Sequence, residues 1–238
     1  MEVDLRRHER IRRLQAPVRG VSGHTSRVRV EPLGESALIL RELPVPPPVA
    51  AAKLNEVPGV VEAYAAFDTV AVIVDGPVDE HSLVEAVSSS GILELSRRHA
   101  IPVLYDGEDL EEVAARVGLT REETIALHAR EYECRAVGFC PGFAYLAPLA
   151  SPLDGLPRRA SPRARVAPGS VAMAAGMTAV YPLERPGGWW IIGRTPLVLV
   201  DEVEDYFPIR AGDIVRFQAI DEREYASRMG ERLTGAGL

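Results

Sequence analysis

Arg158, Arg159, Arg163 and Arg165 crowd around two prolines, and Arg194 follows in Gly193-Arg194-Thr195-Pro196. A guanidinium is a planar fork that matches a carboxylate or a phosphate, so arginines gathered on turns point to anion binding. Taken singly, each is equally a solvated residue of a surface turn. Upstream, Gly138-Phe139-Cys140-Pro141-Gly142-Phe143-Ala144-Tyr145-Leu146 sets Phe139, Phe143 and Tyr145 around a Pro-Gly turn. Gly138 and Gly142 would let backbone N–H groups approach an oxyanion or a phosphate closely. Aromatics at alternating spacing usually pack inward, so two of the three rings are expected in the core. His128, within His128-Ala129-Arg130-Glu131-Tyr132, is a candidate base, although a lone helical histidine is more often structural or a donor that orients a neighbour. Ser170, after Pro168-Gly169, either presents its hydroxyl or bonds its own backbone. Spacing assigns no Ser/His/Asp order and no metal-ligand cluster. No Walker-type Gly-x-x-x-x-Gly-Lys-Ser/Thr occurs, so a nucleotide would be held without a P-loop.

Displaying such residues takes tight turns between short strands. Val28, Val30 and Leu33 alternate with polar residues, and Ala37 to Leu40 is a second short apolar run. Pro44 to Pro48 reads as a stiff connection, and Val49 to Val57 as a helix ended by Pro58-Gly59. Val60 to Ala66 and Thr69 to Val74 flank Phe67-Asp68 as a hairpin. Asp79 caps a helix carrying Leu83, Val84 and Val87 and stopped by Gly91, after which Ile92 to Leu95 opens another strand. The order strand, helix, strand, strand, helix, strand is that of a ferredoxin-like α/β domain, expected over residues 27–96. Before it, residues 1–26 read as an Arg-rich, solvated extension.

Over residues 97–238 the pattern predicts a strand at Ile101 to Leu104 and a helix at Leu110 to Val117 stopped by Gly118. A capping box at Thr120-Arg121-Glu122-Glu123 opens a helix to about Glu131. Strands follow at Tyr132 to Val137, Ser170 to Ala174, Met177 to Tyr181, Trp189 to Ile192, Leu197 to Val200 and Ile214 to Ile220. Many short strands with Gly/Pro turns indicate a sandwich or a closed barrel, and the fold class is α+β. Asp221 to Leu238 reads as a weak helix.

The 238 residues are 47% hydrophobic and 26% charged, the profile of a globular protein. A net charge of −7 argues against a nucleic-acid partner. Lys53 is the only lysine among 27 basic residues. Cys134 and Cys140 read as free thiols in a reducing compartment. No apolar run is long enough to span a membrane and no signal-peptide pattern opens the chain, so a cytoplasmic location is expected.

Beyond this, an ordered set of motifs resembles a known family. Gly138-Phe139-x-Pro141-Gly142-Phe143-x-Tyr145-Leu146, Ser161-Pro162-Arg163, Pro168-Gly169-Ser170-Val171, Tyr181-Pro182, Pro186-Gly187-Gly188-Trp189 and Gly193-Arg194-Thr195-Pro196 look like the family of 5-oxoprolinase B subunits, also called allophanate hydrolase subunit 1. Upstream, Ile101-Pro102-Val103-x-Tyr105, Asp109-Leu110 and His128-x-x-x-Tyr132 fit the same pattern, and the likeness runs in order over residues 28–220. The resemblance implies a small α/β domain followed by a cyclophilin-like β-barrel. It implies two partners, a homologous C subunit (allophanate hydrolase subunit 2-like) plus a hydrolytic A subunit, with ATP and Mg bound jointly, in the opening of 5-oxoproline to glutamate. The family also includes KipI-like inhibitors of sensor histidine kinases, and fused relatives form the carboxyltransferase part of urea carboxylase. On this resemblance and side-chain chemistry, His128, Arg163 and Arg194 are catalytic candidates. Gly138, Phe139, Gly142, Phe143, Tyr145, Ser170, Met177, Trp189 and Thr195 are candidates for binding substrate or nucleotide. One departure stands out: the family usually has a Gly-Gly-Gln-Thr-like turn where this chain has Ala175-Gly176-Met177-Thr178. Methionine there removes an amide donor and an acceptor.

Overall fold

The computed structural model describes residues 28–89 and 96–233. The chain divides into two compact units, residues 1–93 and 94–238. The architecture is α+β, with strands paired mostly antiparallel and few, short helices.

In the first unit, strands β1 (Arg29–Pro32), β2 (Ala37–Arg41), β3 (Val60–Ala66) and β4 (Thr69–Val74) pair antiparallel in the order β1-β2-β4-β3. Helix α1 (Pro47–Leu54) buries Ala50, Ala51 and Leu54, and α2 (Glu80–Ser88) buries Leu83 and Val87. Helix α1 starts earlier than the pattern predicts. Pro47 and Pro48 fall at its first positions, where a missing N–H costs nothing and the fixed φ favours the helix. Asp79 caps α2 by accepting from the His81 and Ser82 N–H groups. The N-terminal extension and the strand expected at Ile92 to Leu95 lie outside the described residues.

The second unit is built on β5 (Arg98–Val103), β6 (Glu131–Val137), β7 (Ala144–Ala147), β9 (Ser170–Ala174), β10 (Met177–Val180), β12 (Trp190–Arg194) and β13 (Ile214–Ala219). Their order is β5-β13-β6-β7-β10-β9-β12, with only β5 and β13 parallel. Reciprocal 2.9 Å hydrogen bonds between Leu104 and Arg194 join the end of β5 to β12 and return the sheet on itself. Ile101, Val103, Val171, Met173, Ile192 and Phe217 are buried in the core this ring encloses. A separate ribbon pairs β8 (Arg163–Val166) with β11 (Arg185–Gly187). Helix α3 (Leu110–Val117) ends in left-handed Gly118, and the Thr120 capping box opens α4 (Arg121–His128). A short α5 (Glu222–Ser227) follows β13.

The sequence pattern misses β7, β8 and β11, each three or four residues long. So few residues carry too little alternation to stand out beside glycine and proline. Leu197 to Val200 forms no strand, only an isolated bridge from Val198 to Arg232.

Candidate functional site

Aromatic side chains gather on one side of this ring because Phe143 sits at a crossing point. Its ring meets Phe139, Tyr145, Tyr181 and Trp189 edge-on, at centroid distances of 5.3, 5.0, 5.3 and 5.6 Å. Edge-to-face contacts place the positive rim of one ring on the negative face of the next, which orders the group beyond simple burial. These rings, with Arg158, Arg159 and the turn Pro186-Gly187-Gly188, line a cavity of about 310 Å³. Two glycines permit close approaches in this region. At Gly142, φ is +71° and a Cβ would strike the Val200 side chain; at Gly187 a Cβ would fall on the Tyr181 hydroxyl. Burial raises the Tyr145 and Tyr181 pKa values, and the Arg158 charge acts on both phenols in the opposite sense.

Behind the cavity wall, Asp109 holds the arginine segment in place. Its carboxylate is nearly buried and accepts from Arg159 at 2.7 Å and Arg163 at 2.8 Å through one oxygen. The other oxygen accepts from the Ile191 N–H at 2.7 Å. Asp109 stands at the N-cap of α3, yet its side chain makes no cap hydrogen bond, because the arginines and β12 take it instead. Arg163 also pairs with Glu108 at 2.8 Å. Burial lowers the Arg163 pKa, but the bonds to Asp109 and Glu108 outweigh it and hold the guanidinium charged. Arg116 and Arg159 lie over Trp190 at 4.8 and 5.0 Å, and its indole N–H donates to the Pro157 carbonyl at 2.6 Å.

Of the sequence-derived site residues, the structure brings Phe139, Phe143, Tyr145 and Trp189 together at the cavity. Arg163 stands behind it, its charge spent on Asp109 and Glu108. Arg194 is elsewhere: it pairs with Asp106 at 2.8 Å and stacks 4.5 Å over Tyr225. The Gly138 N–H donates to the Phe143 carbonyl at 3.0 Å, so that donor closes the turn and is not offered to an anion. Gly142 shapes the turn from outside the lining. Ser170 and Thr195 are buried in backbone pairing, with the Thr195 N–H on the Gly169 carbonyl and the Ser170 carbonyl taking the Tyr181 N–H. Met177 follows the left-handed Ala175-Gly176 turn and packs on the core, also outside the lining.

His128 lies outside the cavity lining. It is fully buried and stacks on Phe217 at 4.8 Å. Its Nδ1 lies 2.8 Å from the Tyr105 hydroxyl and its Nε2 2.7 Å from the Thr178 hydroxyl. Thr178 donates its own proton to the Ala172 carbonyl at 3.0 Å, so it accepts from Nε2–H. Nδ1 is therefore the acceptor for Tyr105. Burial lowers the His128 pKa to about 3, so the ring is neutral and serves as a core hydrogen-bond link.

Asp109 is the residue whose role the sequence did not reveal. An aspartate before a helix reads as a cap, and only the fold shows it turned toward the arginines. Among the described residues, no group of three or more His, Cys, Asp or Glu side chains is placed to hold a metal ion. Both cysteines are free and buried, and burial pushes the Cys134 thiol up to about 12. No helix of the described residues is long and apolar enough to cross a membrane.

Comparison with known proteins places these features in a family. Residues 29–208 match the carboxyltransferase domain, subdomain C and D. The chain is 36% identical over 232 residues to the B subunit of 5-oxoprolinase from Bacillus subtilis, covering 84% of this chain and 96% of that one. To the B subunit of 5-oxoprolinase from Escherichia coli O157:H7 it is 39% identical over 212 residues, covering 80% and 95%. Among solved structures, TTHA0988 aligns with a TM-score of 0.68 at 35% identity, over 78% of this chain. This chain spans 40% of the length of TTHA0988. Urea carboxylase of Kluyveromyces lactis aligns with a TM-score of 0.59 at 15% identity over 92% of this chain and 24% of that one, a likeness of fold alone. With near-full-length identity to these relatives and a family match over most of its residues, the chain belongs to the family of 5-oxoprolinase B subunits.

Proposed function

We propose that this chain is the B component of an ATP-dependent 5-oxoprolinase, acting with a homologous C subunit plus a hydrolytic A subunit to open 5-oxoproline to glutamate. The observation that carries this reading is the identity to relatives named as 5-oxoprolinase B subunits, along nearly their whole length. On the same reading the two compact units are a ferredoxin-like domain and a cyclophilin-like barrel. The β2-β4-β3 order around two helices supports the first, and the closure of β5 onto β12 supports the second.

The aromatic cavity suits a small, flat ring: rigid rings supply contact area and exclude water at little entropic cost. The charges available there are too few for a triphosphate, so ATP and its Mg are assigned to a surface that the partner completes. ATP, when bound, would supply the phosphoryl group that activates the amide oxygen. This chain's contribution is to hold the ring, screen it from water and leave one face to the partner.

Mixing the chain with homologues of the C and A subunits should yield ATP hydrolysis that depends on 5-oxoproline, and its absence would defeat the reading. A second reading is a carboxyltransferase-type subunit for a urea- or allophanate-like substrate. The family match to a carboxyltransferase domain favours it. Bicarbonate- and biotin-dependent turnover of urea, with no response to 5-oxoproline, would select it. Loss of sensor-kinase autophosphorylation on adding the chain alone would select instead the KipI-like inhibitor role.

A further inference from the structure

Arg158 differs from the arginines around it. Arg159 and Arg163 are bound to Asp109, Arg165 pairs with Glu184 at 2.9 Å, and Arg194 pairs with Asp106. Arg158 lines the cavity, reaches solvent, and has no ion-pair partner among the described residues. Its backbone is nonetheless clamped on both sides. The Pro157 carbonyl is held by the Trp190 indole N–H at 2.6 Å, and the Arg159 N–H donates to the Gly188 carbonyl at 2.8 Å. Trp190 is itself covered on its faces by Arg116 and Arg159. A long cation is thus presented from a fixed backbone with its charge unspent. Holding the backbone in advance reduces the ordering cost that binding would otherwise meet.

The charge balance of the cavity limits what it can take. Of its two arginines, Arg159 is neutralised by Asp109, which leaves the single charge of Arg158 among aromatic walls. One uncompensated guanidinium matches one carboxylate through two parallel hydrogen bonds, and falls short of a polyphosphate. We propose that Arg158 is the carboxylate-binding residue of this cavity, which is a site for a small planar ring bearing one carboxylate. Naming 5-oxoproline as that ring rests on the function proposed above.

The test uses the whole chain, alone and in the reconstituted complex. Trp189 and Trp190 are the only tryptophans, and Trp189 lines the cavity, so intrinsic fluorescence reports occupancy. Wild-type protein is titrated with 5-oxoproline and with 2-pyrrolidinone, the same ring without the carboxylate. Saturable binding of 5-oxoproline is expected, weakened about tenfold or more in Arg158→Gln and partly restored in Arg158→Lys. Binding of 2-pyrrolidinone should be weak and the same in all three proteins. Equal affinity of wild type and Arg158→Gln for 5-oxoproline would overturn the proposal, as would no saturable binding by wild type. In the complex, Arg158→Gln should raise KM for 5-oxoproline far more than it lowers kcat. A chain that binds 5-oxoproline through Arg158 in a complex without ATP-dependent turnover refutes the proposed function and keeps the site. An active complex whose KM ignores Arg158→Gln refutes the site and keeps the function.

Discussion

Acid should weaken the second unit through His128, and the effect can be isolated. In the folded protein the His128 pKa lies near 3, against an ordinary value of 6.5, because burial disfavours the charged ring. Between those values the unfolded chain takes up a proton that the folded chain refuses. The unfolded state therefore binds more protons, and stability falls as pH drops below 6.5 toward 3. From about pH 7 to about pH 5 this one group should remove ~2 kcal/mol, the slope approaching ~1.4 kcal/mol per pH unit. The assay is urea unfolding followed by tryptophan fluorescence, since both tryptophans lie in the unit that holds His128. Other groups titrate in the same range, so the quantity to compare is the pH slope of wild type against His128→Gln. The variant will be less stable at every pH, having lost the stack on Phe217 and the link from Tyr105 to Thr178. Its slope should nevertheless be shallower by the amount above. Parallel profiles would refute a buried neutral ring and return His128 to the groups that exchange protons.

Two further substitutions probe the site's support. Asp109→Asn removes the charge that holds Arg159 and Arg163 and leaves two cations facing one another. Breaking such a buried network should cost about 3 kcal/mol, read as a fall in Tm of roughly 6–12 °C by calorimetry, and an unchanged Tm would deny Asp109 its anchoring role. Met177→Gln introduces the amide that the resemblance leads one to expect at this turn, at a position outside the cavity lining. It should leave 5-oxoproline affinity unchanged in a fluorescence titration, and an increase of tenfold or so would place Met177 at the ligand.

Much of the local structure was legible in the sequence because it rests on local chemistry. The Asp79 cap, the Thr120 capping box and the left-handed Gly118 each follow from side chains within a few residues of the helix end they serve. The Phe67-Asp68 turn joins two long β-rich runs and was equally plain. The candidate site was legible only in part. Phe139, Phe143, Tyr145 and Trp189 announce themselves as aromatics set among glycines and prolines. What sequence cannot rank is five arginines that look alike. Which of them is spent depends on carboxylates distant in the chain: Asp109 lies 50 residues from Arg159, and Asp106 lies 88 from Arg194. The same holds for His128, whose tautomer follows from Thr178, 50 residues away and two strands across the sheet from β6. Motif position marked Arg163 and Arg194 as catalytic; geometry spends both in ion pairs and leaves Arg158 facing the cavity.

The chain is proposed to serve 5-oxoproline opening as one part of a shared enzyme. The most direct measurement follows labelled 5-oxoproline to glutamate in mixtures of this chain with homologues of the C and A subunits, leaving out one protein at a time. Labelled glutamate and ADP should appear together only when this chain, both partners and ATP are present. Glutamate formed at the same rate without this chain, or none formed with every component present, would contradict that role.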